Sequence, residues 1–124
     1  MKILTHAVTV AVILAFPVMS LACEYPERPT LPDGGTAAKE EMIAAQKAVK
    51  SFLAEIDTYL DCIDQEDKAA TAALENEDEE ARKRREELIS KKFDAANEAK
   101  FLLGEQWNQQ VRAYNARRSA EKSE

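Results

Sequence analysis

An apolar residue recurs every seven positions through the middle of the chain, and this repeat constrains the fold more than any other feature of the sequence. The repeat and the positions between its members hold Met42, Ala45, Val49, Phe52, Ile56, Tyr59 and Ile63. Apolar residues at spacings of three and four lie along one side of an α-helix. Leu53 and Leu60 widen this apolar seam. The pattern therefore predicts a long helix with a coiled-coil-like surface for packing.

The chain is depleted in helix-breaking residues after the diglycine Gly34–Gly35. From residue 36 onward it contains no proline and one glycine, Gly104. It is rich in Ala, Glu, Lys, Gln, Leu and Arg, which favour helices. Thr36 is suited to cap the first helix, and acidic residues at positions 40 and 41 suit the positive end of the helix dipole. We therefore expect the first helix to start at Thr36.

A second apolar pattern follows a polar interruption. The sequence ENEDEE at positions 75–80 has no apolar residue, and the pattern resumes afterwards at Leu88, Ile89, Phe93, Ala96, Leu103, Trp107, Val111 and Tyr114. This predicts an all-α fold with helices over 36–75 and 78–118 and a disordered tail over 119–124. A short connection makes the helices antiparallel. One uninterrupted helix that dimerises is the alternative to this hairpin.

The register of the hairpin follows from the position of the turn. A turn near Glu77 places the bulky side chains of Ile56 and Tyr59 opposite the alanines between positions 95 and 99. Bulky residues facing small ones support close packing of the two helices.

The first 22 residues have the pattern of a secretory signal peptide. Lys2 supplies a positive charge, residues 7–16 are apolar, and Ser20 and Ala22 provide the small residues of a cleavage site. The apolar stretch of about ten residues is shorter than the roughly 20 that a membrane-spanning helix needs. We therefore predict cleavage after Ala22 and export to the periplasm or the extracellular space.

Cleavage would make Cys23 the first mature residue, which leaves two interpretations of this cysteine. A bacterial lipoprotein signal usually has leucine three positions before the cysteine, and Ser20 stands there. The other interpretation is a disulfide with Cys62. The three prolines that follow Cys23 repeat every three residues, as in an extended polyproline II arm about 40 Å long. Residues 36–62 of a helix span about 39 Å, so an arm folded back along the first helix brings Cys23 to Cys62. We predict this disulfide, and exposure to an oxidising compartment would allow it to persist.

The composition of the mature chain excludes several function classes. Removal of Lys2 leaves 16 basic residues against 23 acidic ones, a net charge of −7, which disfavours nucleic acid as a partner. The sole histidine, His6, would leave with the signal peptide, so a serine or cysteine nucleophile would lack its usual proton shuttle. No glycine-rich loop for phosphate is present. We expect no enzymatic activity, no cofactor and no metal site, and no membrane association unless Cys23 is lipidated.

The sequence WNQQVRAYNARR, residues 107–118, admits two interpretations. As a recognition surface it would use aromatic and arginine residues, which are common in interfaces. The candidate interaction face consists of Trp107, Asn108, Arg112, Tyr114 and Asn115. As a packing element, Trp107 and Tyr114 would fill the open end of the hairpin beneath the arm. Neighbouring polar side chains, at positions 108, 109, 112 and 115, would then bond the arm backbone.

Two acidic segments could in principle hold a cation or perform acid–base chemistry. Residues 75–87 combine both signs of charge, and we expect i,i+4 ion pairs Asp78–Arg82, Glu79–Lys83 and Glu80–Arg84 on a solvated helix start. A calcium loop usually has a turn glycine, which is missing here. The carboxylates of residues 61–67 have no apolar cleft to perturb them, so we assign them to the outer face of the first helix.

Three segments of the mature chain resemble a family of small exported bacterial proteins, of proteobacterial type and uncharacterised function. They are the cysteine–proline arm ending in LPDGG, the run EEMIAAQKAVKSFLAEIDTYLDC, and the closing WNQQVRAYNAR. The resemblance covers residues 23–117. It implies export and a helical fold, and it implies no reaction.

Taken together, these features predict an exported helical hairpin that acts as a structural or protein-interaction module. A two-helix unit leaves part of each apolar stripe uncovered, so its partner could be another protein or a second copy in a four-helix bundle. A periplasmic chaperone-like or envelope-stress protein and a lipoprotein anchored through Cys23 are the alternatives.

Overall fold

A computed structural model describes residues 23–74 and 76–123 of the chain. The predicted signal peptide, residues 1–22, lies outside the described residues. Two helices, α1 over Lys39–Ala73 and α2 over Glu79–Glu121, pack against each other. Ion pairs join Asp57 to Lys100 and Asp67 to Arg85, so α1 and α2 run antiparallel. At 1.5 Å per residue the helices are about 52 and 65 Å long. The predicted all-α hairpin is confirmed.

The first helix begins at Lys39, three residues later than the sequence predicts. The carbonyl of Asp33 accepts hydrogen bonds from the backbone N–H groups of Thr36 and Ala37, at 3.0 and 2.7 Å. This turn includes Thr36, so that residue does not cap the helix. Ala38 stands at the N-cap, and its N–H donates to the Glu41 carboxylate at 2.6 Å. An acidic residue in the first turn therefore satisfies the backbone where a capping side chain was expected.

The connection between the helices lies where the sequence predicts it, although its edges differ by one or two residues. The first helix ends at Ala73. Asp78 caps α2 by accepting a hydrogen bond from the Ala81 N–H at 2.8 Å. Since Asp78 is used in this way, Arg82 pairs with Glu86 at 3.5 Å and the expected Asp78–Arg82 pair is not formed. The expected pairs Glu79–Lys83 and Glu80–Arg84 are present, at 2.8 and 3.4 Å.

Arg85 ties this end of the hairpin together. Its guanidinium donates to the Glu77 carboxylate at 3.0 and 3.2 Å and also bonds the carboxylate of Asp67. The hydrogen bonds that Arg85 donates to Glu77, and then the one that it donates to Asp67, raise the pKa of Arg85 above its already high ordinary value. One side chain thus links the end of α1, the connection and the start of α2.

The second helix continues to Glu121, so the prediction of a disordered tail from residue 119 is wrong for Ser119, Ala120 and Glu121. Residues 119–121 contain no glycine or proline that would end the helix. Arg117 and Glu121 form an i,i+4 pair at 3.8 Å, and the N–H of Lys122 bonds the Ala120 carbonyl. The helix therefore ends by local capping within the stretch that was expected to be irregular.

The core lies along the predicted seam of α1. All seven seam positions are buried, and Ile56 and Ile63 are almost completely enclosed. Of the α2 residues, Ala96 and Leu103 are buried. The apolar pattern of α2 is less well predicted, because Leu88 is 54% exposed. Opposite Leu88 the first helix carries mainly alanine and polar side chains, which leave little apolar surface to pack against.

The arm runs back along α1 from the turn at residues 33–36. Cys23, Pro26, Pro29 and Pro32 are half-buried, and this repeat has the three-residue period of a polyproline II helix. Leu31 packs against the core cluster, where it lies beside the small alanines of residues 44–48. Farther along, the Tyr25 and Tyr59 rings meet edge to face, with centroids 5.1 Å apart. The arm therefore covers one side of the hairpin.

Candidate interaction site

A disulfide fixes the start of the arm to the middle of α1. Cys23 and Cys62 are bonded, with their Cα atoms 5.7 Å apart. The predicted pairing is thus present in the structure. It closes a loop of 39 residues that contains the arm, the turn and more than half of α1.

A carboxylate lies beside this disulfide. The side-chain ligand atoms of Cys23, Cys62 and Glu66 all lie within 4.8 Å of one another. Metal binding by cysteine requires the thiolate, and sulfurs joined in a disulfide have none to offer. In the oxidised protein Cys23 and Cys62 therefore form a structural cross-link, and Glu66 is an acidic residue beside it.

Three residues of α2 bind the arm and the turn that follows it. Arg28 donates to the side-chain carbonyl of Gln106 at 2.7 Å, and the Gly34 N–H donates to that of Gln110 at 2.8 Å. Arg117 donates to the Ala37 carbonyl at 2.7 Å. Spacings of four and seven residues place 106, 110 and 117 on one side of a helix. The sequence indicated the neighbouring polar residues instead.

The expectation that polar residues at 108, 109, 112 and 115 bond the arm is therefore corrected. Their side chains are exposed, and helix spacing places 108, 112 and 115 away from the side that carries 106, 110 and 117. The amide-rich sequence at 106–110 did signal hydrogen bonding. Choosing among its members required the direction in which the arm crosses α2.

The two aromatic members of the candidate face pack inward. Trp107 is half-buried and lies against the core cluster. Tyr114 is also half-buried, and the Arg117 guanidinium lies 5.4 Å from the centre of its ring. Gly34 crosses α2 at this level, so closely that an added Cβ would lie 2.8 Å from the Gln110 carbonyl carbon. Both aromatic residues thus pack onto the hairpin, but only Tyr114 lies where the arm crosses α2.

The three polar members of the candidate face are exposed, and two of them, Asn108 and Asn115, belong to a longer stripe. We call the residues Asn97, Phe101, Gly104, Asn108, Val111 and Asn115 the α2 stripe. Their spacings alternate between four and three, as along the seam of a coiled coil. None is charged, although 32% of the residues in the chain are charged. Phe101 is 67% exposed, and an added Cβ on Gly104 would have no atom within 4 Å.

The α2 stripe borders an apolar surface that the arm does not cover. We call this surface the arm-free face; its apolar members are Leu53, Leu60, Phe93, Trp107 and Val111. All five are half-buried, and helix spacing places them on the side opposite the arm. The Asp57–Lys100 ion pair crosses this face between the helices. Sequence reasoning identified the apolar residues but could not assign them to one side.

The arm and α1 form an open cleft of about 560 Å³ on the other side of the hairpin. Tyr25 and Tyr59 contribute to its walls, together with the carboxylates of Glu24, Glu27 and Glu55. The acidic residues of the 61–67 segment lie elsewhere and are used differently: Asp64 pairs with Lys68, and Asp67 with Arg85. Asp64 thus serves on the surface of α1, as the sequence indicated, whereas Asp67 joins α1 to α2 and does not lie on the outer face.

Neither helix in the described part of the chain has a segment long and apolar enough to cross a bilayer. The disulfide indicates an environment outside the reducing cytoplasm. No protein-family model, curated protein or solved structure matches the chain.

Proposed function

We propose that the protein is an exported, non-enzymatic helical hairpin that serves as a structural or protein-interaction module. The observation that carries this proposal is the contrast between the two sides of the hairpin. One side is closed by the disulfide-linked arm, and the other presents the arm-free face and the uncharged α2 stripe. Large apolar side chains left exposed beside uncharged polar groups are typical of protein-interaction surfaces.

Export to the periplasm or the extracellular space, with cleavage after Ala22, is part of this proposal. The disulfide supports it, because such bonds persist mainly in oxidising compartments. Intact-mass spectrometry of the protein from the exported fraction tests it. We expect a chain that begins at Cys23 and is lighter than the dithiol form by two hydrogens. A diacylglycerol mass on Cys23 would instead identify a lipoprotein, because a lipidated sulfur cannot also bond Cys62.

The absence of enzymatic activity is supported by the way in which the polar side chains are used. Arg85 holds the turn, Arg117 and Gln110 hold the arm, and Asp78 caps α2. These groups stabilise the fold and are engaged with one another or with the backbone. The open, acidic cleft beside Tyr25 has no basic side chain among its lining residues.

The interaction surface can be tested with a matched pair of double variants. Asn108→Ala/Arg112→Ala alters one polar member of the α2 stripe and the exposed arginine beside it. Glu105→Ala/Gln109→Ala alters exposed residues with the same spacing that lie outside the α2 stripe and farther from it around the helix. All four side chains are exposed, so neither variant should unfold the hairpin.

Each variant would serve as bait in a pull-down from the exported fraction, next to the unaltered protein. We expect a captured protein to be lost with the first variant and kept with the second. Equal capture by all three baits would contradict the assignment of this surface. Circular dichroism on each bait would verify that the helices are intact.

A further inference from the structure

We infer that a second copy of this chain covers the arm-free face, in an antiparallel two-fold dimer that forms a four-helix bundle. This inference rests on the proposed function and names the partner of the same surface. In the bundle, α1 lies against α1 of the partner and α2 against α2 of the partner. The half-buried apolar residues of the two arm-free faces meet at the centre, which is how helix pairs complete a core.

The charges beside the arm-free face indicate that its binding partner is a second copy of this chain. At the open end of the hairpin lie Lys47, Lys50 and Arg112, and towards the connection lie Asp61 and Asp94. None of these five side chains has an ion-pair partner within residues 23–74 and 76–123. The face is thus positive at one end and negative at the other. Rotation by 180° places each end of one copy on the opposite charge of the other.

The α2 stripe fixes where the two-fold axis crosses this helix. An axis between residues 102 and 103 puts the exposed Phe101 ring over Gly104 of the other copy, where open space is available. The same axis puts Asn97 opposite Asn108, so that two side-chain amides can exchange hydrogen bonds. It also brings Asp94 close to Arg112. Antiparallel helices that pack along such a seam pair its positions in this manner.

The residues of α1 independently give the same position for the two-fold axis. The Asp57–Lys100 contact shows which residues of the two helices are level, and it puts Ala54 level with residues 102 and 103. Rotation about Ala54 brings Lys50 between Asp57 and Asp61 of the other copy, and Lys47 close to Asp61. A small residue therefore marks the crossing point on α1, and opposite charges flank it on both sides.

The same charges disfavour the other way of joining two arm-free faces. A two-fold axis parallel to the helices would put α1 against α2 of the partner, with Lys47 near Arg112 and Asp61 near Asp94. Both contacts join like charges, which oppose association. The antiparallel arrangement also brings Glu98 near Glu105, on the same exposed rim as Arg112, and this repulsion is outnumbered by the attractive contacts of Lys47, Lys50 and Arg112.

Sedimentation equilibrium of the disulfide-bonded mature protein over a concentration series tests this inference. We expect a monomer–dimer equilibrium for the unaltered chain. Lys50→Asp and Asp61→Lys should each weaken the dimer about tenfold or more, because each creates two like-charge contacts. The double variant Lys50→Asp/Asp61→Lys should restore dimerisation, as should mixing the two single variants. Lys122→Asp, beyond the end of α2, controls for the change in net charge.

The rescue by charge exchange is the decisive outcome. Residues 50 and 61 lie 11 positions apart on one helix, about 16 Å, so they cannot compensate within one chain. Single variants that weaken the dimer without rescue by the double variant would overturn the antiparallel arrangement. Gly104→Leu gives a second measurement: it should block the dimer while leaving helix content unchanged, since its side chain enters space that is open in one hairpin.

A chain that stays monomeric throughout the series overturns the dimer. The proposed function would still hold if the pull-down depended on residues 108 and 112. The arm-free face would then bind a different protein. A dimer that forms with unchanged affinity in every charge variant also overturns the inference, since another surface must then hold the copies together.

Discussion

At the scale of single residues, two glycines occupy opposite environments and serve different purposes. No described glycine has a positive φ, so left-handed backbone does not explain either position. Gly34 is buried where the chain crosses α2 next to Gln110 and Tyr114. Gly104 lies inside α2 with open space around it. Close approach requires glycine at the first position, and nothing within one hairpin requires it at the second.

Alanine at these two positions should therefore change stability in opposite directions. Gly34→Ala forces the turn away from the Gln110 carbonyl and should lower the free energy of unfolding by about 1–3 kcal/mol. Gly104→Ala should raise it by about 1 kcal/mol, because alanine favours the helical backbone over glycine. Urea unfolding followed by circular dichroism measures both. A stabilised Gly34→Ala variant would show that the turn does not press on α2 as described.

At the scale of elements, the arm is held to the helices by one covalent bond and a few polar contacts. The disulfide acts at its start, and Gly34 and Ala37 are bonded to α2 at its end. Between these points Arg28 bonds Gln106, and the other contacts are made by proline, leucine and tyrosine side chains. The arm therefore depends on the disulfide for its alignment with α1.

Removal of the disulfide should cost about 4 kcal/mol of stability, the chain-entropy value for a loop of this length. The variant Cys23→Ser/Cys62→Ser, compared with the oxidised protein in urea unfolding, measures the loss. The oxidised and reduced forms of the unaltered protein provide a control without substitution. If all three unfolded at the same urea concentration, the disulfide would contribute nothing to the stability of the hairpin.

The connection between α1 and α2 should be weakened most by the loss of Arg85. This side chain is 18% exposed and bonds two carboxylates from different parts of the chain. Arg85→Ala leaves both carboxylates without their partner, so the start of α2 should fray and the melting temperature should fall. Arg84→Ala is a matched control, since Arg84 is 68% exposed and makes one i,i+4 pair. Hydrogen exchange on residues 79–90 would locate the effect, and equal protection in both variants would contradict it.

At the scale of the whole molecule, the inferred dimer links stability to concentration. A protein that associates in its folded state is stabilised by mass action, so its melting temperature rises with concentration. We expect this rise for the unaltered chain and a flat response for Lys50→Asp. Calorimetry at low and high protein concentration would detect the difference. A melting temperature independent of concentration in both proteins would contradict the dimer.

The parts of the fold that were predictable are those encoded by local periodicity. The seam from Met42 to Ile63 is buried as expected, because each member occupies the same side of a continuous helix. The start of α1 was misplaced because Asp33 forms a turn that includes Thr36. The polar partners of the arm were misassigned because neighbouring glutamines and asparagines have similar chemistry. Only the path of the arm separates Gln106 and Gln110 from Asn108.

The amino-acid sequence by itself determined the two helices, their apolar stripes and the reach of the arm, since these depend on spacing along one chain. Tertiary structure decided which side of the hairpin the arm covers, and with it which side remains available to a partner. The physical reason is that an arm of this width can shield one side of two adjacent helices. Packing beneath Gly34 and the bond from Cys23 to Cys62 select that side.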